Sequence, residues 1–297
     1  MQYFIQLTHR LTYIAYLAVV QSIGLLGARK SYRLSVLLYV LLYKILRYRR
    51  KVVRRNLSYV FPHYDTPQLR TIERAYYRHL AHSLIDIVLP MHLSPEELLE
   101  RYTIDNPEVL DEFYQKGQSV ILAASHYANW EWAAYALPLL TPFEGKTIYQ
   151  PLSNPYIDRH VKKMRARFGF QLISVRYAGL LFRRLTKPTI LGFICDQSPW
   201  DLQRAVEVEF FGKPLYSLSG PERYARHFNL PVLYIEVQKV DVGRYRAKLH
   251  VIARSPSQVP EGQIMQDIYA ILERQIRENP PYWLWSHRRW KHQMGYD

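Results

Sequence analysis

The sequence predicts an α/β protein: a mixed central sheet flanked by helices, preceded by membrane-associated N-terminal helices. Three observations point there. Two short, continuous apolar runs, 120–124 (VILAA) and 189–195 (TILGFIC), read as buried strands. Apolar residues recur at helical spacing at 69–87 and 264–277. Two further strand-like runs, 231–238 and 245–253, flank Gly243 and read as a hairpin.

At 297 residues the chain can bury a substantial core. Its net charge of +15 is unevenly spread. No Asp or Glu precedes Asp65, and residues 1–64 hold 11 Lys or Arg, so the rest carries only +4. A nucleic-acid binder spreads its positive charge over the folded domain. Here the charge lies beside an apolar segment, as in a juxtamembrane anchor, and no nucleic-acid partner is expected. The one cysteine, Cys195, cannot form an internal disulfide, which fits a reducing compartment. Its thiol reads as a small buried hydrophobe. No Cys/His cluster has zinc spacing, and His79 with His82 reads as an exposed pair rather than a metal site. Neither metal nor cofactor is expected.

Residues 11–28 are uncharged and as a helix would extend about 27 Å, enough for the apolar core of a bilayer. Arg29, Lys30 and Arg33 follow at once, so the positive-inside rule places everything after residue 28 in the cytoplasm. A helix lying in the interface or docked on the domain is the other reading. Residues 34–46 are too short to span and suit an interfacial helix. Six of the nine residues 47–55 are basic, each contributing about 1 kcal/mol beside anionic lipid. Residues 1–55 are thus expected to anchor, and residues 56–297 to form one domain.

Thr66 and Pro67 read as the cap and first turn of a long helix that Pro90 closes. The run SPEE at 94–97 opens another. After the strand at 120–124 a helix is expected from Asn129 as N-cap to about residue 140. A short strand at 147–149 and a basic helix over 154–168 follow. The run 189–195 ends in Asp196, which lies on the same sheet edge as His126 if the two strands are parallel. Residues 206–211 alternate as an exposed strand or hairpin does, Phe210 and Phe211 read mainly as packing, and 217–228 reads as a helix. In the tail, Trp283, Trp285 and Trp290 stand among His287, Arg288 and Arg289. They suit either a membrane interface or the closing of a core.

The candidate site is HYANWE at 126–131, where a strand hands over to a helix. On one continuous helix His126 and Glu131 would sit about 140° apart. They can meet only if His126 precedes the helix and Glu131 lies in its first turn. A neutral imidazole can then take a proton from an attacking hydroxyl while the carboxylate fixes its tautomer. A nearby helix N-terminus would disfavour the imidazolium and keep the base available.

This stretch resembles the H-x-x-x-x-D/E motif of glycerolipid acyltransferases. With Trp130 before Glu131 it is similar to the late acyltransferases of lipid A biosynthesis. Three further stretches are similar to that family's motifs, in its order: RNLSYVFP at 55–62, NPYID at 154–158 and PYWLWSHRRWK at 281–291. The resemblance implies transfer of a fatty acyl chain from acyl-acyl carrier protein to a hydroxyl of a lipid A precursor, at the bacterial inner membrane. It implies His126 as general base, Glu131 as its orienting acid, and no acyl-enzyme. Arg165 matches an arginine the family places near its active site, and Asp196 its acid after the second strand. Arg165 could hold the acceptor's phosphate or steady Glu131, and Asp196 could bind the acceptor or support a cation. Arg165 and backbone N–H groups near Tyr127 are the oxyanion candidates, and Tyr127 and Asn129 count as substrate-binding positions. Gln150 departs from the pattern, standing where family members often carry arginine. This leaves room for another acceptor, such as an aminolipid, a glycolipid or a lysophospholipid. A non-catalytic membrane-bound module that binds lipid or carrier protein is the reading from another class.

Overall fold

The structure is a computed structural model and describes residues 2–294. Helix α1 (Gln2–Tyr39) is broken at Gly27, whose φ of 67° and ψ of 171° are not helical. A glycine tolerates this conformation because it has no Cβ. Ser31 Oγ donates across the break to Ile23 O at 3.2 Å. By length and composition residues 5–45 could cross a membrane. Yet one face of α1 is docked on the domain. Val20 and Ile23 are buried, and Gly24 lies so close to His92 that an added Cβ would fall 2.5 Å from its ring. The opposite face, including Leu11, Ile14 and Leu25, is exposed.

A single wide helical turn (Val40–Ile45) leads to α2 (Arg50–Val60). Here the basic cluster does something the sequence did not suggest. Arg50 Nε and Arg54 Nε donate to the fully buried Glu73 at 2.8 and 3.0 Å. Arg49 donates to Ser286 O at 3.2 Å and Arg55 to Met294 O at 2.7 Å. Four of the six cations therefore bind the chain itself. Position 55 lies inside α2, whose buried face is Val52, Val53, Asn56, Leu57 and Val60.

Helix α3 (Thr66–Val88) is capped by Asp65, not Thr66, because Asp65 and Gln68 exchange a reciprocal capping box. Helix α4 (Pro95–Arg101) is capped by Ser94 and Glu97 as expected. Then come β1 (Tyr102–Ile104), α5 (Val109–Gln115), β2 (Val120–Ala124), α6 (Ala133–Leu140), β3 (Glu144–Tyr149), α7 (Pro155–Ala166), β4 (Phe170–Ser174), α8 (Ala178–Arg183) and β5 (Thr189–Ile194). Strands β6 (Ala205–Glu209) and β7 (Pro214–Leu218) form a separate antiparallel pair. Helix α9 (Gly220–Phe228), β8 (Val232–Asp241), β9 (Arg244–Ala253) and α10 (Gln263–Glu278) complete the body, with a short α11 (Lys291–Met294) in the tail. The helix expected from residue 217 begins at Gly220, since Ser217 and Leu218 pair within β7.

The seven-stranded sheet is α/β and mixed, in the order β1-β9-β8-β2-β5-β3-β4. Strand β2 runs parallel to both neighbours, β5 and β8, and β9 returns antiparallel to β8. All five β2 side chains are buried, as in a strand covered on both faces. The three tail tryptophans close the core: Trp283, Trp285 and Trp290 are buried and their rings meet one another and Phe210. Phe210 and Phe211 are packed in the same cluster. His79 is buried rather than exposed, its ring edge-on to Tyr282, and burial together with the Lys239 charge lowers its pKa.

Candidate active site

Strand register brings the site together. Ala124 on β2 lies opposite Ile194 on β5, and Cys195 N–H donates to Ala124 O at 3.0 Å. The two chains therefore leave the sheet side by side, and the next residues are His126 and Asp196. Asp196 Oδ1 lies 2.7 Å from His126 Nδ1 and accepts the His126 backbone N–H at 3.0 Å. Its other oxygen accepts Trp283 Nε1–H at 2.9 Å and faces the buried Arg289 guanidinium at 3.5 Å. Burial works to raise this carboxyl's pKa. The charge and hydrogen bonds of His126, with the charge of Arg289, overcome that and hold it well below the usual carboxylate range. An ionised Asp196 accepts the Nδ1 proton of a neutral His126 and leaves the Nε2 lone pair free.

That nitrogen faces an open groove of about 470 Å³, lined also by Tyr149, Gln150, Phe193, Gln197 and Trp200. The Gln197 side-chain amide sits 3.1 Å from His126 Nε2, where it can donate to the lone pair. The Trp130 ring stands edge-on to the imidazole, with centroids 4.6 Å apart.

Glu131 takes a different partner. It lies in the turn before α6, and its Oε2 accepts Arg165 Nη2–H from α7. Among the described residues no hydrogen bond joins His126 to Glu131; the acid on His126 comes from β5. Of the two roles open to Arg165, the contact made is that with Glu131. Burial works against the Arg165 cation, but Glu131 outweighs it and the guanidinium pKa is raised. The pair lines an apolar cavity of about 90 Å³ with Trp130, Leu137 and Phe170. This cavity and the His126 groove share Phe193 and Ile194 as walls.

Two sequence expectations shift. Asn129 does not cap α6, which starts at Ala133; its Oδ1 accepts Trp132 N–H at 3.2 Å and holds the preceding turn. The Tyr127 side chain is buried away from the groove, its hydroxyl between Gln275 O and Asn279 O at 2.9 and 3.0 Å. Two of the backbone amides near Tyr127 are also occupied. Tyr127 N–H donates to Ser125 O and Ala128 N–H to Tyr282 O, at 2.7 and 2.9 Å. Arg165 lines the apolar cavity beside Glu131, not the His126 groove.

The tail supplies what spacing could not reveal. Residues 126–128 and 282–284 are stitched together by Leu284 N–H to His126 O at 3.1 Å and a bridge between Tyr127 and Trp283. His287 Nε2 accepts Ser198 N–H at 3.1 Å, beside Asp196. Burial, then the Arg289 charge, pushes His287 down to about 4, so it stays a neutral acceptor at pH 7. Asn56 Nδ2 holds the tail from α2, donating to Trp285 O and His287 O at 2.7 and 2.8 Å. The sequence signal was the density of tryptophan and arginine at 283–290. Cys195 is buried, its thiol 3.2 Å from Ala124 O and its pKa pushed up by burial. Among the described residues no group of three His, Cys, Asp or Glu side chains could hold a metal ion.

The family described as bacterial lipid A biosynthesis acyltransferase matches residues 2–292. The chain is also similar to a lipid A biosynthesis palmitoleoyltransferase of Escherichia coli (strain K12). A lipid A biosynthesis acyltransferase of Shigella flexneri is a second relative. Each is 20% identical over 249 residues, covering 83% of this chain and 80% of the relative. With a family match that runs almost from end to end around a histidine poised over an open groove, this chain belongs to the bacterial lipid A biosynthesis acyltransferases.

Proposed function

We propose that the enzyme moves a fatty acyl chain from acyl-acyl carrier protein to a hydroxyl of a lipid A precursor, that of an acyl chain already attached. The observation that carries this reading is the His126–Asp196 hydrogen bond, with Nε2 turned to the groove. The acceptor hydroxyl takes the place of the Gln197 amide at Nε2 and gives its proton to the imidazole. Its oxygen attacks the thioester carbonyl directly. The tetrahedral intermediate collapses, and the departing thiolate of the carrier's prosthetic arm takes the proton back. Asp196 keeps the tautomer and stabilises the transient imidazolium. Glu131 acts on the reaction through Arg165, the cation we assign to the oxyanion. No acyl-enzyme forms, in keeping with the buried, high-pKa thiol of Cys195. The apolar cavity beside Trp130 takes the acyl chain, where each methylene is worth about 1–3 kcal/mol of discrimination.

Residues 1–55 anchor the protein at the inner membrane through the exposed face of α1, and the domain from residue 56 faces the cytoplasm. Arg29, Lys30 and Arg33, directly after the uncharged stretch, support this orientation. A basic surface also attracts an acidic carrier. Gln150 lines the groove and favours one alternative, an acceptor that is another membrane lipid. Mass spectrometry of lipids from cells lacking the gene tests both. Lipid A short of one acyl group supports the proposal; unchanged lipid A with another lipid altered moves the acceptor.

A further inference from the structure

We propose that the rim of the His126 groove, residues 175–184 and 198–204, seats on an anionic lipid surface, giving the enzyme a second membrane contact besides α1. The rim is unusually apolar for a solvated surface. Trp200 is 82% exposed and Tyr177 61%, and Val175, Leu180 and Leu202 are exposed as well. Val175 and Trp200 line the groove mouth itself. Contiguous exposed apolar side chains mark an interaction surface, and tryptophan and tyrosine beside cations are typical of the membrane–water boundary.

Charge selects the partner. Between Asp158 and Asp196 the sequence holds nine Lys or Arg and no acid, a second acid-free basic segment like residues 1–64. Arg176, Arg183 and Arg184 on the rim are exposed, and none is in an ion pair among the described residues. This contrasts with the cations of α2, four of which are consumed inside the molecule. The one rim acid, Asp201, is paired with Arg204 at 3.6 Å. The two acid-free segments also touch. Tyr16 of α1 bonds His160 of α7 at 3.1 Å, and Tyr149 in the groove bonds Asp158 at the start of α7 at 3.3 Å. One continuous face thus runs from α1 to the groove mouth. A lipid acceptor seated against this face would reach His126 without crossing water. An acidic carrier protein would match the arginines but leaves the exposed Trp200, Tyr177 and Leu180 without a reason.

The inference rests on the reading of the groove as a lipid site, but its test reads only membrane contact, so it can fail while acyl transfer stands. Six tryptophans occur, and Trp132, Trp283, Trp285 and Trp290 are buried. Full-length protein is reconstituted in vesicles of phosphatidylethanolamine and phosphatidylglycerol with brominated acyl chains, and wild type is compared with Trp200→Phe. Bromine should quench an emission component that Trp200→Phe lacks. That component should shrink in an Arg176→Gln/Arg183→Gln/Arg184→Gln variant and in pure phosphatidylcholine vesicles. Equal quenching of wild type and Trp200→Phe, with both still vesicle-bound through α1, would overturn the proposal. So would quenching undiminished in phosphatidylcholine, or a Trp200 emission shift produced only by added acyl carrier protein.

Discussion

The imidazole of His126 is held at Nδ1 by Asp196, 70 residues further along the chain and 2.7 Å away. The acid five residues from His126, Glu131, instead closes an ion pair with Arg165. Two carboxylates thus flank the histidine loop with separate partners, and each can be tested by itself.

Replacing Asp196 by Asn keeps the shape but lets the imidazole adopt the wrong tautomer. The expected loss in kcat is about 10²–10⁴-fold, the range for general-base function. The acceptor KM should change little. Steady-state kinetics with the lipid acceptor checks this, and a loss confined to KM would assign Asp196 to substrate binding.

Asp196 also makes stability depend on pH in a defined direction. Its folded pKa lies below the unfolded value of about 3.9. The stabilisation is therefore present above about pH 4 and is lost as pH falls from there toward the lower folded value. Thermal unfolding of Asp196→Asn and wild type between about pH 3 and about pH 7 should show the difference in Tm narrowing at the acid end.

Glu131 and Arg165 should behave as one unit. The single variants Glu131→Gln and Arg165→Gln each lower kcat/KM, and the double variant should be little worse than the poorer single. The coupling expected for contacting charges is about 0.5–3 kcal/mol. Full additivity in the double-mutant cycle would mean that the two side chains act independently.

Gln197 should behave differently from both. Its amide occupies the nitrogen that the acceptor must reach. One neutral hydrogen bond is worth about 0.5–1.5 kcal/mol, so Gln197→Ala should raise kcat/KM for the acceptor by up to about tenfold. A fall of more than about a hundredfold would instead make Gln197 a participant in the reaction.

Much of this architecture was legible in the chain. The all-apolar runs of β2 and β5 announced buried strands, and Asp196 was placed beside His126 on the condition that those strands are parallel, as they are. What spacing could not give was which acid meets the imidazole. That choice depends on the register between β2 and β5 and on the backbone of residues 126–132. There Ala128 adopts a φ of +50°, which side-chain-bearing residues rarely take, and α6 starts three residues later than an Asn129 cap would give. Part of the cluster at 47–55 was hidden for a related reason. Two of its cations, Arg50 and Arg54, have their acid, Glu73, on another helix, α3.

The tail's hold on the site is open to a stability measurement. Asn56→Ala removes two hydrogen bonds and strands the carbonyls of Trp285 and His287 in a buried setting. A destabilisation of about 2–3 kcal/mol is expected, read as a lower Tm or denaturant midpoint. Activity should fall with it, since Trp283 and Arg289 of the same segment flank Asp196.

The most direct test of the account is the rate of acyl transfer from acyl-acyl carrier protein to a lipid A precursor by His126→Ala. The rate should drop by about 10²–10⁴-fold while the variant folds and fractionates with membranes like wild type. A folded His126→Ala enzyme working within about tenfold of wild type would contradict the role of this histidine as the base.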